Sequence, residues 1–271
     1  MTHMLAITDH EFTQFQAMLS RIAGISLSAA KKSLVSGRLA KRLHACQVQS
    51  YGQYFELLSS GKHSNELQVA VDLLTTNETY FFREPKHFDI LRDQILPQRR
   101  RGSPFRVWSA ACSSGEEPYS IAMLLADQLG HDGWDILASD ISTRVLAKAR
   151  SGHYSTERSS HIPRDYLHRY CFKGIGSQDG TFLVEKALRT KVAFRQINLN
   201  ETLPSVGQFD VVFLRNVMIY FNIETKRQVV ARLVETLKPG GHLIVGHSES
   251  LNGVNDALTT VMPSVYRKQT G

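Results

Sequence analysis

Three short stretches carry the residue types from which a binding chemistry can be read. In the first, SSGEEP (113–118), two hydroxyls, a glycine and two carboxylates follow the apolar run FRVWSAAC (105–112). The second, WDILASD (134–140), is an apolar run ending in Asp140, and the third, FDVVFLRN (209–216), ends in Arg215 and Asn216. A strand, a tight turn that opens a helix, and a second strand ending in an acid form an arrangement that holds a nucleoside. The turn brings backbone N–H groups close to the ligand, and the carboxylate accepts the ribose hydroxyls. Asp140 has that position, which equally suits the cap of a helix starting at Ile141.

Only Gly115 stands where a dinucleotide fold would show GxGxxG, so a pyrophosphate cradle is disfavoured. A Walker lysine is also absent, which disfavours phosphoryl transfer from a nucleoside triphosphate. A nucleoside without phosphates, such as S-adenosylmethionine, fits the pattern better.

Such residues need a frame, and the pattern beyond Pro104 predicts one. The runs FRVWSAAC, WDILASD, VAFRQIN (192–198), FDVVFLRN and HLIVGHS (242–248) alternate with amphipathic stretches at 118–129, 142–150 and 224–237. That alternation predicts a mainly parallel sheet with helices on both faces. Ligands in this architecture bind beyond the carboxyl ends of the strands. The candidates are therefore 113–117, Asp140, Asn198 with Leu199, and Arg215 with Asn216.

The first hundred residues read as helical. Thr8 or Asp9 caps a helix in which Phe12, Phe15, Leu19 and Ile22 recur at three and four, and Gly24 ends it. Further helical patterns cover about 28–46, 51–58, 65–74 and 88–96, with TTNETYFFRE (75–84) between the last two and a turn-rich PQRRRGSP (97–104) after them.

At 271 residues, 42% apolar and 21% charged, the composition is that of a folded protein of one large or two smaller domains. No window supplies the roughly 18 uncharged apolar residues of a membrane span, and the start has no signal-peptide pattern, so a cytoplasmic protein is expected. Cys46, Cys112 and Cys171 share no metal-ligand spacing and are expected to be buried thiols, with neither a disulfide framework nor a metal site. Thirty-two Lys and Arg against 25 Asp and Glu give a net charge of +7, which favours an anionic partner. The excess is local: no acid lies between Glu11 and Glu56, where Arg21, Lys31, Lys32, Arg38, Lys41 and Arg42 fall. On a helix, Lys31, Arg38 and Arg42 form one stripe beside the apolar Val35, Leu39, Leu43 and Cys46. The stripe is either a recognition surface for an acidic partner or a solvated face.

Taken together, NETYFFRE (77–84), RVWSAACSSGEEPYSIAM (106–123), ASDIS (138–142), FDVVFLRNVMIYF (209–221) and LKPGGHLIVGHSE (237–249) resemble the chemotaxis receptor methyltransferases, the CheR family. The likeness runs from the N-terminal helices to the last of these strands and keeps the family's order. It implies an α/β fold: a Rossmann-like class I S-adenosylmethionine-dependent methyltransferase domain over 105–271, with an all-helical receptor-recognition domain over 1–75. A linker at 76–104 contributes to the cofactor site, and a small β-subdomain is inserted at 171–195.

The implied activity is transfer of a methyl group from S-adenosylmethionine to glutamate side chains in the cytoplasmic domain of chemoreceptors. The products are a glutamyl methyl ester and S-adenosylhomocysteine. By the resemblance, Asn77, Thr79, Arg83, Glu117, Asp140, Asn198, Leu199, Arg215 and Asn216 match the family's cofactor contacts, with Asp140 on the ribose and Asn198 with Leu199 beside the adenine. Glu117 is preferred to Glu116. Arg83 and Tyr220 match residues near the methyl donor and the incoming carboxylate; Tyr220 either donates a hydrogen bond or walls the pocket. A glutamate is already ionised at pH 7, so its oxygen needs no general base. No Ser/His/Asp or Cys/His constellation is evident.

The family prior makes Lys31, Arg38 and Arg42 the candidate recognition residues for acidic receptor helices, contributing mainly to encounter rate. The segment FKGIGSQDGTFLVEKALRTK (172–191) resembles the β-subdomain that in some members docks a receptor C-terminal peptide as an added strand, with Gly174, Gly176 and Gly180 as the candidate peptide-binding positions. An ordinary surface hairpin is the alternative. No nucleic-acid partner is expected, since motifs for a flipped base or a pyrimidine-attacking Cys are lacking. The rival reading is a non-catalytic S-adenosylmethionine-binding receptor adaptor. A monomer is expected that meets membranes only through receptors, and His247, Ser248 and Glu249 are expected to form structural hydrogen bonds.

Overall fold

Thr8 begins the first helix, α1 (Asp9–Ala23), by a reciprocal cap: its side chain accepts from Glu11 N, and the Glu11 carboxylate accepts from Thr8 N. Asp9 and Glu11 lie in the first turn, where the helix dipole favours negative charge, and Gly24 ends the helix in a left-handed conformation at φ 71°. The computed structural model describes residues 6–100 and 102–270. Its contacts divide into two units, one holding the chain through Thr76 together with Tyr220–Thr225, the other holding Asn77–Ile219 and the chain from Lys226 onward.

In the first unit, α1 is followed by α2 (Lys32–Ala45), α3 (Tyr51–Ser59) and α4 (Ser64–Leu74). The helix expected over 28–46 is split, because a 3₁₀ turn at Ala29–Lys31 precedes α2. Phe15, Leu19, Val35, Leu39, Tyr54 and Ala70 are fully buried, so the apolar faces read from sequence form this core.

The second unit opens with α5 (Lys86–Ile90), continued by a π turn at Leu91–Ile95 and a 3₁₀ turn at Leu96–Gln98. There follow β1 (Phe105–Ala110), α6 (Glu116–Leu129), β2 (Trp134–Asp140), α7 (Thr143–Ser151), β3 (His153–Ser155), α8 (Arg164–Tyr170), β4 (Cys171–Lys173), β5 (Thr181–Val184), α9 (Lys186–Arg189), β6 (Val192–Gln196), β7 (Phe209–Leu214), α10 (Ile223–Glu235), β8 (Leu237–Val245), β9 (Leu258–Met262) and β10 (Val265–Lys268). Helix α10 begins among the residues that cluster with the first unit.

Seven strands form one sheet in the order β6-β2-β1-β7-β8-β10-β9. The strands from β6 to β8 run parallel, and β10 is antiparallel to both β8 and β9. The chain moves outward from β1 through β2 to β6, then returns to the other side of β1 as β7. That reversal is a topological switch point, where doubly wound sheets bind their ligands. Ala110 pairs with both Ser139 and Leu214, so the carboxyl ends of β1, β2 and β7 finish level. Trp108, Tyr119, Phe209 and Phe213 are fully buried around this centre, and burial of each such ring stabilises the fold by roughly 1.5–3 kcal/mol.

A second sheet of order β3-β5-β4 is antiparallel. It corrects the boundaries expected at 171–195. The small sheet starts earlier, at His153, and Val192–Gln196 belongs to the large sheet as the partner of β2. The physical reason is that β3 is only three residues long and directly follows a helix, leaving no alternation to read. Of the cysteines, only Cys112 is buried; Cys46 and Cys171 are half-buried, and all three are free.

Candidate functional site

Backbone shape sets this site before any side chain does. Ala111 and Ser113 take left-handed φ values of 66° and 50° after β1, Asn216 takes 56° after β7, and Phe82 and Glu84 take 52° and 57° in the NETYFFRE segment. Non-glycine residues in this region concentrate where the surrounding structure over-determines the chain, as at ligand sites. Gly115, at φ 94°, has a packing reason of its own. A Cβ there would sit 2.9 Å from both Ala149 Cβ and Tyr154 Oη, so the glycine lets the turn close on α7 and β3.

Asp140 ends β2 and is buried. Its Oδ2 accepts from Ser113 N and its Oδ1 from Ser142 N, each at 2.9 Å. One carboxylate thereby ties the β1 turn to the start of α7. Ser113 Oγ in turn donates to Asn77 O at 2.8 Å. Asn77, Ser113 and Asp140 are thus linked in one chain of hydrogen bonds. Ile197 N donates to Asp140 O at 3.2 Å, which sets Asn198 and Leu199 beyond the same end of the sheet. Asn198 Nδ2 donates to Glu201 Oε1, and Leu199 is buried.

The two glutamates of SSGEEP have different surroundings. Glu116 is fully buried, accepting from Ser114 Oγ at 2.7 Å and forming a short ion pair with Arg158. Glu117 accepts from Ser109 Oγ at 2.7 Å and from Arg215 Nη1 at 2.8 Å. The Arg215 side chain is 2% exposed and also donates through Nη2 to Glu84 Oε2 at 3.0 Å and to Arg83 O. Its Nε is buried with no hydrogen-bond partner among the described residues. Asn216 Nδ2 donates to Glu84 Oε1 at 3.1 Å, while Asn216 N donates to Glu249 Oε2 at 2.8 Å. Glu249 also accepts from Gly246 N and Ile219 N, the structural part expected of it.

Glu84, which the sequence reading does not reach, is the hub of this group. Burial pushes its carboxyl up, but hydrogen bonds from Asn216 and Arg215, the Arg215 charge and the His247 N–H outweigh that, holding it below the usual range. His87, buried beside it, has its imidazole pushed down to about 3 by burial first and the Arg215 charge second, against the pull of Glu84. Glu84, His87 and His247 bring ligand atoms within 4.8 Å of one another. The oxygens of Glu84 already accept from Arg215 and Asn216.

Arg83 is half-buried; its Nη1 donates to Glu78 O at 3.0 Å, and its guanidinium lies 5.7 Å from the Tyr80 ring centroid. It pairs with no carboxylate among the described residues. Thr79 is half-buried in the same segment. Tyr220 clusters instead with the helical unit, where its carbonyl accepts from Ser26 N at 2.8 Å. Lys31 is exposed. Arg38 Nη1 donates to the carbonyls of Leu74 and Thr75 at the end of α4, and Arg42 makes a two-point pair with Glu66, which also accepts from Tyr54 Oη. The stripe is therefore partly engaged in holding its own bundle.

Gly174, Gly176 and Gly180 lie in the turn between β4 and β5. A Cβ on Gly174 would stand 1.9 Å from Gln178 O, while Gly176 and Gly180 have φ values of 59° and 78°. Strand β4 is an edge strand, and Phe172 on it and Ile175 just after it are 59% and 83% exposed.

The profile described as CheR methyltransferase, all-alpha domain matches residues 10–75, and that described as CheR methyltransferase, SAM binding domain matches residues 77–266. A chemotaxis protein methyltransferase of Escherichia coli (strain K12) is 43% identical over 98% of this chain and 93% of its own length. One of Salmonella typhimurium (strain LT2) is 43% identical over 94% and 88%. Chemotaxis protein methyltransferase 2 of Pseudomonas aeruginosa is 42% identical over 96% and 93%. With both domain profiles matched in order and relatives aligned along nearly the whole chain, the chain belongs to the CheR methyltransferase family and is an S-adenosylmethionine-dependent methyltransferase.

Proposed function

We propose that this chain methylates glutamate side chains in the cytoplasmic domain of chemoreceptors, producing glutamyl methyl esters and S-adenosylhomocysteine. The observation that carries the reading is the convergence of Asn77, Glu117, Asp140, Arg215 and Asn216 at the carboxyl ends of β1, β2 and β7, in a chain that is 43% identical to a chemotaxis protein methyltransferase. The donor set fits S-adenosylmethionine. Asp140 and Glu117 offer carboxylates to hydroxyl and ammonium groups, and the Arg215 Nε is a buried donor for which the described residues supply no acceptor. Asn198 and Leu199 offer a polar edge and an apolar wall for the adenine.

Bound S-adenosylmethionine supplies a methyl group on a positively charged sulfur, which a carboxylate oxygen can attack. The chain's own residues have to bring that carboxylate into line. Arg83 suits the task because backbone and aromatic contacts hold it, leaving its planar fork for a carboxylate. Alignment of this kind contributes at most roughly 7–11 kcal/mol to lowering a barrier. Tyr220 is assigned to the same step by the family resemblance. Lys31, with Arg38 and Arg42 behind it, steers acidic receptor helices by charge. The edge of β4, next to the Gly174, Gly176 and Gly180 turn, takes a receptor C-terminal peptide as an added strand. Such a tether raises the local concentration of methylation sites. No described helix is long and apolar enough to cross a membrane.

Incubation of the purified chain with radiolabelled S-adenosylmethionine and chemoreceptor-rich membranes tests the reading. Protein-bound label released as methanol by mild base supports a carboxyl methyl ester. Tight cofactor binding by calorimetry with no label on several receptors overturns it in favour of the adaptor.

A further inference from the structure

A cavity of about 820 Å³ opens at the end of the large sheet opposite the switch-point site, beside the amino ends of β1, β7 and β8. Its size falls within the range of small-molecule sites. The lining is cationic: Arg99, Arg100, Lys238 and Arg267 face it, with Asp210 as the acidic member. Asp210 is spoken for, since its Oδ2 accepts from Lys238 Nζ at 2.6 Å and from Arg106 N at 2.7 Å. The three arginines have no carboxylate partner among the described residues. Arg267 Nε donates to Gly240 O at 3.2 Å, and Arg99 Nη1 to Leu96 O at 3.2 Å. Backbone carbonyls thus orient two guanidinium groups without neutralising them. The turn at Gly240, with φ 76°, carries no side chain beside the Arg267 guanidinium, whose Nη2 would lie 3.4 Å from a Cβ there.

We propose that this cavity binds a small, multiply charged anion, bearing phosphoryl or carboxylate groups, at a site separate from the cofactor residues. Three uncompensated guanidinium groups around one concavity focus positive potential there, and planar forks meet either oxyanion by paired hydrogen bonds. The inference does not depend on the methyl-transfer reading, because none of these residues lies at the carboxyl ends of the parallel strands, Arg267 being on the antiparallel β10.

Calorimetric titration of the full chain with inorganic pyrophosphate and, separately, with citrate tests it at constant ionic strength. Saturable one-site binding of either probe is expected, and the tighter of the two identifies the chemistry. The double variant Arg99→Glu/Arg267→Glu is expected to weaken it by at least about tenfold, as the loss of charge-assisted hydrogen bonds implies, with S-adenosylmethionine affinity unchanged as the check on folding. The milder Arg99→Gln/Arg267→Gln serves if the reversal does not fold. Absence of saturable binding for both probes, or binding that these variants leave intact, overturns the proposal.

Discussion

Arg215 Nη1 donates to Glu117 Oε2 across 2.8 Å, joining the residue that follows β7 to the first turn of α6. The pair spans the switch point of the sheet. Because the Arg215 side chain is 2% exposed and also meets Glu84, its removal leaves two carboxylates without their counter-charge. Breaking a buried pair from one side costs about 3–5 kcal/mol. Arg215→Ala is therefore expected to lose stability on that scale in urea unfolding. Glu117→Gln, which keeps the shape, is expected to fold while binding S-adenosylmethionine more weakly.

Asp140 separates two roles that the sequence leaves side by side. Both its oxygens accept backbone N–H groups, from Ser113 and Ser142, so it organises the two turns, while the cap of α7, expected of Asp140 for a helix starting at Ile141, falls to Ser142, whose hydroxyl accepts from Val145 N ahead of Thr143. Asparagine has one acceptor oxygen, and its amide would turn a donor toward a donor. Asp140→Asn is expected to lose about 1–3 kcal/mol of stability and to bind S-adenosylmethionine at least about tenfold more weakly, each cofactor bond lost being charge-assisted. Unchanged cofactor affinity in a folded variant would leave only the structural role.

His87 gives the second unit an acid-sensitive element. Its pKa falls from 6.5 to about 3 because burial, then the Arg215 charge, penalises the imidazolium, while Glu84 opposes the shift. The folded chain keeps this ring neutral, whereas the unfolded chain takes up a proton below its ordinary pKa. Stability is therefore complete above about pH 6.5 and declines as pH falls toward about 3, by at most about 1.4 kcal/mol per pH unit. Chemical denaturation of wild type and His87→Gln across that window checks the slope. The variant is expected to decline less steeply, and parallel curves would show that His87 is not the group responsible.

How much of this was legible depends on where side chains repeat. WDILASD reads as a strand and forms one over Trp134–Asp140, and the other parallel strands fall close to their expected runs, because buried strands are continuous apolar segments. The hairpin β9–β10 leaves no such mark: in LTTVM only Leu258 is buried, so the run carries no core signal. The carboxyl-end rule points to 113–117, Asp140, Asn198 with Leu199, and Arg215 with Asn216 as candidates, and hydrogen bonds tie Ser113 to Asp140 and Glu117 to Arg215. It cannot find Glu84 or His87, which precede the first strand and reach the site through left-handed turns at Phe82 and Glu84 that no periodicity marks. Nor does charge patterning distinguish a docking stripe from a bundle's internal ties, as Arg38 and Arg42 illustrate.

Those ties decide which cations can test receptor recognition. Arg42 holds Glu66 between itself and the Tyr54 hydroxyl, and hydrogen bonds from both outweigh burial to keep Glu66 below the usual carboxylate range. Arg42→Glu would set two carboxylates against each other and is expected to cost about 1–3 kcal/mol, discounted for partial exposure. Lys31→Glu, at an exposed position, is expected to stay within about 0.5 kcal/mol of wild type. A fall in receptor methylation at low salt for Lys31→Glu, with cofactor affinity retained, supports steering; unchanged kinetics there would make the stripe a solvated face.

The β4–β5 turn offers a sharper separation of folding from binding. At Gly174 a Cβ would lie 1.9 Å from Gln178 O and 2.6 Å from Thr181 Oγ1, so alanine forces the turn open and breaks the 2.9 Å bond from Gly174 N to Thr181 O. Gly176 and Gly180 have open space, and alanine there costs only the left-handed backbone, about 1–2 kcal/mol each. Gly174→Ala is thus expected to lose hydrogen-exchange protection throughout the small sheet, while Gly176→Ala retains it. If a receptor C-terminal peptide docks along β4, Gly174→Ala abolishes its binding through loss of the edge, whereas Gly176→Ala changes affinity only where the peptide reaches the turn. Peptide binding unaffected by Gly174→Ala, in a protein whose hairpin has measurably opened, would place that peptide elsewhere.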